Sequence, residues 1–169
     1  TRQVDAGIRY QIRSNLQFVA GVFQIDKPYY ALDQFNLFRQ LGDIRHRGVE
    51  LSLAGAVTDR FTVVAGTVLL QPRTTDSTAA AGATTLTAIG PIPRLVRVNL
   101  QYRPEAVQGL TLDAKVESVS SRFLNVVNTR RIPGVTTFDA GVRYTTTLSD
   151  VPVRFRLQGR NLTNSNSIT

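Results

Sequence analysis

Residues 110–118 read Leu-Thr-Leu-Asp-Ala-Lys-Val-Glu-Ser, and apolar and polar side chains alternate through the whole segment. One phase holds Leu110, Leu112, Ala114 and Val116, and the other holds Thr111, Asp113, Lys115 and Glu117. Because successive side chains of a β-strand point to opposite faces, the segment predicts a strand with one apolar and one charged face. Such a strand suits a sheet between lipid and water better than a sheet packed inside a soluble core. A solvated exterior sheet face is the alternative interpretation of the charged phase.

Similar strand patterns recur along the chain. They cover residues 3–12, 16–25, 47–55, 61–70, 94–103, 137–147 and 153–160. Their lengths match the roughly 9–11 residues of a tilted membrane crossing, and no window reaches the roughly 18 apolar residues of a membrane-spanning helix. We therefore predict an all-β fold, an antiparallel up-and-down meander of about eight strands.

The connections between these segments alternate in length. Short connections rich in turn residues are predicted at residues 13–15, 57–60, 104–109 and 149–152. Long connections are predicted at residues 26–46, 71–93 and 122–133. Short turns at one end of the strands and long loops at the other are typical of bacterial outer-membrane barrels.

Aromatic residues gather at the end of the strands where the short turns lie. Tyr10, Tyr102 and Tyr144 precede short turns, and Phe18, Phe61 and Phe155 follow them. All six lie on the apolar phase, which is the placement of an aromatic girdle at a membrane interface. A general preference of aromatics for strands would scatter them along the segments instead.

The charge and the reactive residues exclude several functions. The formal net charge is +8 and nearly all of the 20 basic residues are arginine, a balance that can indicate nucleic-acid binding. The arginines do not cluster but alternate with Asp and Glu on the polar phase, so we expect no nucleic-acid partner. There is no Cys, and the single histidine, His46, is interpreted as a loop or barrel-mouth residue. We predict no enzyme activity, no catalytic residues, no metal site and no cofactor.

Four motifs resemble those of TonB-dependent outer-membrane receptors. Residues 47–51, Arg-Gly-Val-Glu-Leu, enter a strand after a long loop, and residues 161–164, Asn-Leu-Thr-Asn, resemble the element before the final strand of these receptors. Residues 132–144 look like the penultimate strand. Residues 22–26, Val-Phe-Gln-Ile-Asp, with two tyrosines after them, are similar to the siderophore-receptor branch.

This resemblance implies a large barrel of about 22 strands in the bacterial outer membrane, plugged by an N-terminal domain. It also implies uptake of a ferric siderophore or similar ligand powered by TonB, with outer-membrane lipid and lipopolysaccharide as neighbours. The sequence shows no plug and no TonB box. We therefore expect residues 1–169 to be the C-terminal part of such a barrel, without its final strand. A passive porin or structural barrel is the alternative.

A captured ligand would meet the long loops. Ferric siderophores are often anionic and partly aromatic, so arginine and aromatic side chains suit them. The candidate ligand-binding residues are Tyr29, Tyr30, Phe35, Arg73, Arg122, Arg130 and Arg131. The alternative is that these residues solvate the loops or bind lipopolysaccharide phosphates.

Overall fold

The computed structural model shows a chain of β-strands joined by turns and loops. The structure describes residues 1–33, 35–76, 84–125 and 127–166. The strands are β1 (Arg2–Arg13), β2 (Leu16–Leu32), β3 (Phe38–Ala56), β4 (Phe61–Asp76), β5 (Thr84–Thr87), β6 (Arg94–Tyr102), β7 (Leu110–Val119), β8 (Arg122–Phe123), β9 (Arg131–Ile132), β10 (Val135–Leu148) and β11 (Val151–Gly159). Within these residues, no helix combines the length and apolar character needed to cross a bilayer.

Eight of the strands form one sheet in the order β1-β2-β3-β4-β6-β7-β10-β11. Each strand of this series pairs antiparallel with the next. Strand β5 pairs with the far part of β4, and β8 and β9 form a separate small hairpin. The sheet therefore follows the chain without a crossover, which confirms the predicted all-β antiparallel meander.

The register of the strands separates the two phases of the sequence alternation. On one face it aligns Val98, Val116 and Phe138, and on the other it aligns Asn99, Lys115 and Asp139. Directly opposite residues in an antiparallel pair lie on the same face of the sheet. The apolar phases of neighbouring strands therefore merge into one surface, and the charged phases merge into the surface on the other side.

The apolar face is not covered by another part of the described chain. Leu157 is 76% exposed, Ile8 64% and Val142 42%. Buried hydrophobic side chains among the described residues are limited to Leu16, Leu41, Val63 and Ala88. A continuous apolar surface of this extent is unusual for a soluble monomer and marks a surface for contact with a membrane or another protein.

The short-turn end of the sheet has the predicted aromatic residues in direct cross-strand pairs. Tyr10 lies opposite Phe18, Phe61 opposite Tyr102, and Tyr144 opposite Phe155. The pairs occur at the end of the apolar face where the chain reverses through short turns. This confirms that the six aromatic residues gather at one end of the strands.

The tightest of these turns joins β10 to β11 with only two residues. Ser149 and Asp150 both have positive φ angles, 48° and 63°. Two central residues with positive φ define a type I′ turn, whose twist matches that of the flanking strands. Pro152, predicted to lie in the turn, is instead the second residue of the edge strand β11. Proline is tolerated there because an edge strand has one side without ladder hydrogen bonds.

The prediction of a long loop over residues 26–46 is wrong. Strand β2 continues to Leu32 and β3 already begins at Phe38, so a turn of five residues joins them. Pairing of backbone groups does not require an apolar phase, so the ladder extends past the residues whose alternation was visible in the sequence. Strands also enter the other two predicted long loops, where β4 reaches Asp76 and β5, β8 and β9 form. Residues 77–83 of the second loop lie outside the described part of the chain.

Candidate functional site

Three of the predicted ligand-binding arginines line one cleft at the long-loop end of the sheet. Arg73 comes from the end of β4, Arg122 from β8 and Arg131 from β9. The cleft has a volume of about 330 Å³, and Phe123 adds an aromatic surface to its wall. Among the described residues, no acidic side chain lines this cleft. The cleft is therefore suited to an anionic group that presents oxygen atoms to guanidinium donors.

The hairpin of β8 and β9 is held in shape by Asn125 and by a cation–π contact. The side-chain oxygen Oδ1 of Asn125 accepts hydrogen bonds from the backbone N–H groups of Thr129 and Arg130, both at 3.0 Å. The guanidinium carbon of Arg131 lies 4.3 Å from the centre of the Phe123 ring. This geometry fixes the direction of Arg131 at the cleft wall, since a guanidinium over an aromatic face is attracted by the ring quadrupole.

A second asparagine joins this hairpin to the preceding loop. Oδ1 of Asn128 accepts a hydrogen bond from the backbone N–H of Thr87 at 2.8 Å, and its Nδ2 donates to the carbonyl oxygen of Thr87 at 3.0 Å. Thr87 lies in β5 directly opposite Arg73. Asn128 thus pairs with both backbone groups of Thr87, as a neighbouring strand would, and brings the two loops together around the cleft.

Sequence reasoning missed Asn128, Thr87 and Phe123. Asn128 has a φ of 56°, a conformation that asparagine adopts more readily than most residues, so the sequence indicates a turn there. Its partner lies 41 residues earlier in the chain. No local pattern could have revealed that contact.

The predicted aromatic residues lie at the tip of the β2–β3 hairpin and do not line the cleft. The rings of Tyr30 and Phe38 stack with their centres 5.9 Å apart. Phe35 is 68% exposed, and Tyr29 is half-buried. This tip therefore offers a second aromatic surface at the same end of the sheet as the cleft.

Asp33 organises the tip of this hairpin. Its Oδ1 accepts hydrogen bonds from the backbone N–H groups of Phe35 (2.7 Å) and Leu37 (3.0 Å), and its Oδ2 pairs with Nε of Arg39 at 2.7 Å. The hydrogen bond from the backbone N–H of Leu37, together with the one from Phe35 and the positive charge of Arg39, lowers the pKa of Asp33 below its ordinary value. The ionised carboxylate of Asp33 therefore holds the turn in shape.

Arg130, the remaining predicted residue, is exposed and does not line the cleft. Its backbone carbonyl accepts a hydrogen bond from Leu124 at 2.9 Å, and its N–H is used by Asn125. Its backbone therefore closes the small hairpin.

The charged face of the sheet carries ion pairs between neighbouring strands. Arg97 Nε lies 3.2 Å from Glu117 Oε2, and Arg143 lies 3.4 Å from Asp113. Lys115 adds a second cation to Glu117 at 3.3 Å. These pairs confirm the expected cross-strand pairing of charges. A cleft of about 350 Å³ on the same face is lined largely by polar side chains.

Comparisons with known proteins agree with this architecture. The family model described as TonB dependent receptor-like, beta-barrel, matches residues 1–162. The ferrichrome receptor FcuA of Yersinia enterocolitica is 26% identical over 165 residues, which are 97% of this chain and 22% of that protein.

Two solved structures have the same fold over nearly the whole chain. BauA, the ferric preacinetobactin receptor of Acinetobacter baumannii, is 29% identical with a TM-score of 0.80, covering 96% of this chain and 25% of that one. The siderophore receptor PiuA of the same organism is 20% identical with a TM-score of 0.81, covering 95% of this chain and 24% of that one. The chain thus spans about a quarter, or less, of the length of these relatives. By this match over most of its length, the chain belongs to the TonB-dependent receptor β-barrel family, whose members are multi-pass barrels of the bacterial outer membrane.

Proposed function

We propose that the protein containing this chain is a receptor that takes up a ferric siderophore across the outer membrane with energy supplied through TonB. The observation that carries the proposal is the cleft in which Arg73, Arg122 and Arg131 converge without an acidic neighbour among the described residues. FcuA and BauA, which share its family or fold, are named as receptors for ferrichrome and ferric preacinetobactin.

The membrane orientation follows from the two faces of the sheet. In outer-membrane barrels an apolar band faces lipid, the interior is polar, and the longer loops are extracellular. Leu112 and Val142 therefore face lipid, and Asp113 and Lys115 face the interior. The cleft then lies on the extracellular side, where a scarce ligand arrives.

The chemistry of the cleft suits an anionic chelate. Planar guanidinium groups donate paired hydrogen bonds to carboxylate and other anionic oxygens, and these bonds are stronger than neutral ones. Phe123 supplies a face for an aromatic ligand group. Tyr29, Tyr30, Phe35 and Arg130 belong to this proposal as outer contacts for a ligand that approaches the cleft.

We also propose that residues 1–169 are the C-terminal part of the barrel of a longer receptor. A plug domain, the region that contacts TonB and a final strand would then be supplied by the rest of that receptor. Strands β1 and β11 support this proposal, because they form the two edges of the sheet and do not pair with each other. An unpaired strand edge is not viable in lipid, where its backbone groups lack partners.

The proposal is tested by iron uptake with the full-length protein. Cells expressing it receive radiolabelled ferric hydroxamate, catecholate or carboxylate siderophores, with and without a functional TonB. We expect uptake of at least one class, lost in the cells without TonB. Uptake that does not change when TonB is lost would instead support a passive porin.

The role of the cleft is tested by binding. Hydrogen bonds to charged groups contribute about 1.5–3 kcal/mol each, so Arg122→Ala is expected to weaken siderophore binding about tenfold or more. Arg60→Ala is the matched control, because Arg60 lies in a short turn at the opposite end of the sheet, paired with Glu105. Equal affinities of the two variants would refute the assignment of the cleft.

A further inference from the structure

We propose that Asn128 is the positioning residue of the extracellular cleft, and that through it the arginines of two separate loops act together on one anionic group. Arg73 belongs to the loop formed by β4 and β5, whereas Arg122 and Arg131 belong to the β8–β9 hairpin. The inference rests on the proposed function, in which the cleft receives an anion. It adds that neither loop forms the anion site alone.

The side chain of Asn128 closes the free edge of β5. The backbone N–H of Ala88 donates to the carbonyl oxygen of Pro72 at 3.1 Å, on the side of β4. Because the backbone groups of successive residues point to opposite sides of an extended chain, those of Thr87 point away from β4. Asn128 binds both of these groups, at 2.8 Å and 3.0 Å. A side-chain amide thus takes the place of a neighbouring strand.

This contact bears directly on the position of Arg73. Thr87 lies opposite Arg73 in the pairing of β4 with β5. Directly opposite residues of an antiparallel pair have Cα atoms about 4.5–5.5 Å apart, so the two residues move as one unit. When Asn128 holds the backbone of Thr87, it therefore also sets the distance between Arg73 and the β8–β9 hairpin.

On its other side, Asn128 is held firmly within the hairpin. Its backbone N–H donates to the carbonyl oxygen of Asn125 at 3.0 Å, and its Nδ2 donates to the same oxygen at 3.4 Å. Oδ1 of Asn125 in turn accepts the N–H of Arg130 at 3.0 Å. The next residue is Arg131, whose guanidinium lies over the ring of Phe123. Contacts therefore continue from Asn128 to a guanidinium of the cleft wall.

The two loops need this link because their charges oppose their approach. The guanidinium groups of the cleft repel one another, and no carboxylate among the described residues offsets that repulsion there. Within the same described residues, the hydrogen bonds that join β5 to the β8–β9 hairpin are those of Asn128. A bound anion and the Asn128 contact favour the same arrangement of the loops, so each strengthens the other.

The substitution Asn128→Gly isolates the side-chain contact. The φ angle of Asn128 is 56°, which glycine adopts without strain, so the variant loses the amide group and keeps the backbone conformation. Asn36→Gly is the matched control. Asn36 has a φ of 59° in another loop at the same end of the sheet, and its side chain forms no hydrogen bond to the described residues. The two variants therefore differ in the contact that is lost.

The first measurement reports the loop positions without any ligand. The full-length receptor in detergent micelles carries spin labels at Ile89→Cys and Leu124→Cys, two exposed positions outside the cleft, with cysteines elsewhere in the receptor replaced. Pulsed electron paramagnetic resonance gives the distribution of distances between the labels. We expect a narrow distribution in wild type and Asn36→Gly, and a broadened one in Asn128→Gly. An unchanged distribution in Asn128→Gly would overturn the inference, whatever the result for siderophore uptake.

The second measurement uses benzoate, a planar aromatic carboxylate, as the anionic probe, with its dissociation constant obtained by saturation-transfer NMR. Asn128→Gly is expected to weaken benzoate binding about tenfold, since two hydrogen bonds that hold the site are lost, and Asn36→Gly is expected to leave it unchanged. Arg73→Ala is expected to weaken binding about tenfold in the wild-type background. In the Asn128→Gly background it is expected to have little further effect, because Arg73 no longer meets the other arginines.

The combined variant separates positioning from a general loss of structure, since the effects of independent changes add. Every variant is first shown to contain a folded barrel by its heat-dependent mobility. Fully additive losses for Asn128→Gly and Arg73→Ala would overturn the inference, as would wild-type affinity for benzoate in Asn128→Gly. A wild-type receptor that does not bind benzoate would instead refute the cleft of the proposed function, and the label distances distinguish these two failures.

Discussion

Two adjacent residues of β6, Val98 and Asn99, provide a sharp test of the membrane orientation. Val98 lies on the apolar face opposite Ala65 and Val116, and Asn99 lies on the charged face opposite Lys115. An arginine placed at either position has the same backbone, the same strand and nearly the same depth. The two substitutions therefore differ chiefly in the face on which the new charge lies and in the neighbours that this face presents.

The expected cost of each substitution follows from that face. The apolar phase of β6 runs from Val96 to Tyr102, a length of about 20 Å at 3.4 Å per residue, so Val98 lies well inside the lipid-facing band. A lipid-facing arginine near the bilayer midplane costs about 2–4 kcal/mol. Asn99→Arg places its guanidinium in a polar interior, where it faces the like charge of Lys115 and Asp139 lies two strands away, so we expect a change within about 1 kcal/mol.

The free energy of unfolding is measured by urea titration of the full-length protein in phospholipid vesicles. We expect Val98→Arg to lose at least about 2 kcal/mol more than Asn99→Arg. Ala65→Arg, across from Val98 on the same face, is expected to behave like Val98→Arg. Equal losses at positions 98 and 99, or a larger loss at 99, would refute the assignment of the faces.

Three further predictions concern local geometry. Gly48→Ala is expected to destabilise the protein by about 1–3 kcal/mol in the same titration, because the new methyl group would meet the ring of Phe23. At Gly66 a methyl group has ordinary van der Waals space, so Gly66→Ala is expected to change the free energy of unfolding little. The double substitution Ser149→Asn/Asp150→Gly is expected to raise the midpoint of unfolding, because Asn-Gly prefers the type I′ turn present there. The folded-state pKa of Asp33 lies below its unfolded value of about 3.9. The contribution of Asp33 to stability is therefore full above about pH 3.9 and is lost as the pH falls through the folded-state pKa. Amide exchange at the β2–β3 tip is expected to accelerate below about pH 4 in wild type but not in Asp33→Asn.

The fold was predictable because one periodicity carries through most of the chain. Where a strand crosses lipid, its two phases must differ in polarity, so segments such as 110–119 show the strand and its faces at once. Beyond the membrane that requirement ends. The outer halves of β2 and β3 contain Pro28, Gly42 and mixed polar residues, and the ladder there combines backbone pairing with irregular side-chain contacts such as the stacked rings of Tyr30 and Phe38. The sequence therefore predicted the crossings well and the extensions poorly.

The candidate site was predictable in residue type but not in arrangement. Loop arginines indicated an anionic ligand, yet nothing in the sequence separates Arg130 from Arg131. The two residues differ because Arg131 pairs with Phe123 in a two-residue strand, whereas Arg130 belongs to the turn that Asn125 closes. Such short elements depend on contacts between loops, and these contacts have no period that a sequence pattern could reveal.

The distribution of arginine shows why net charge alone was a poor guide to function. A charge of +8 is compatible with a nucleic-acid surface, but the register divides the basic residues among several separate surfaces. Arg97 and Arg143 pair with carboxylates on the interior face, Arg122 and Arg131 line the extracellular cleft, and others border the lipid-facing band. Arg45, on the other face of the sheet, pairs with Asp26 of the neighbouring strand, whereas Arg122 and Arg131 have no carboxylate partner among the described residues. Because the cleft holds arginines without an acidic neighbour among the described residues, it is expected to meet an anion supplied from outside the protein, the soluble chelate of the proposed function.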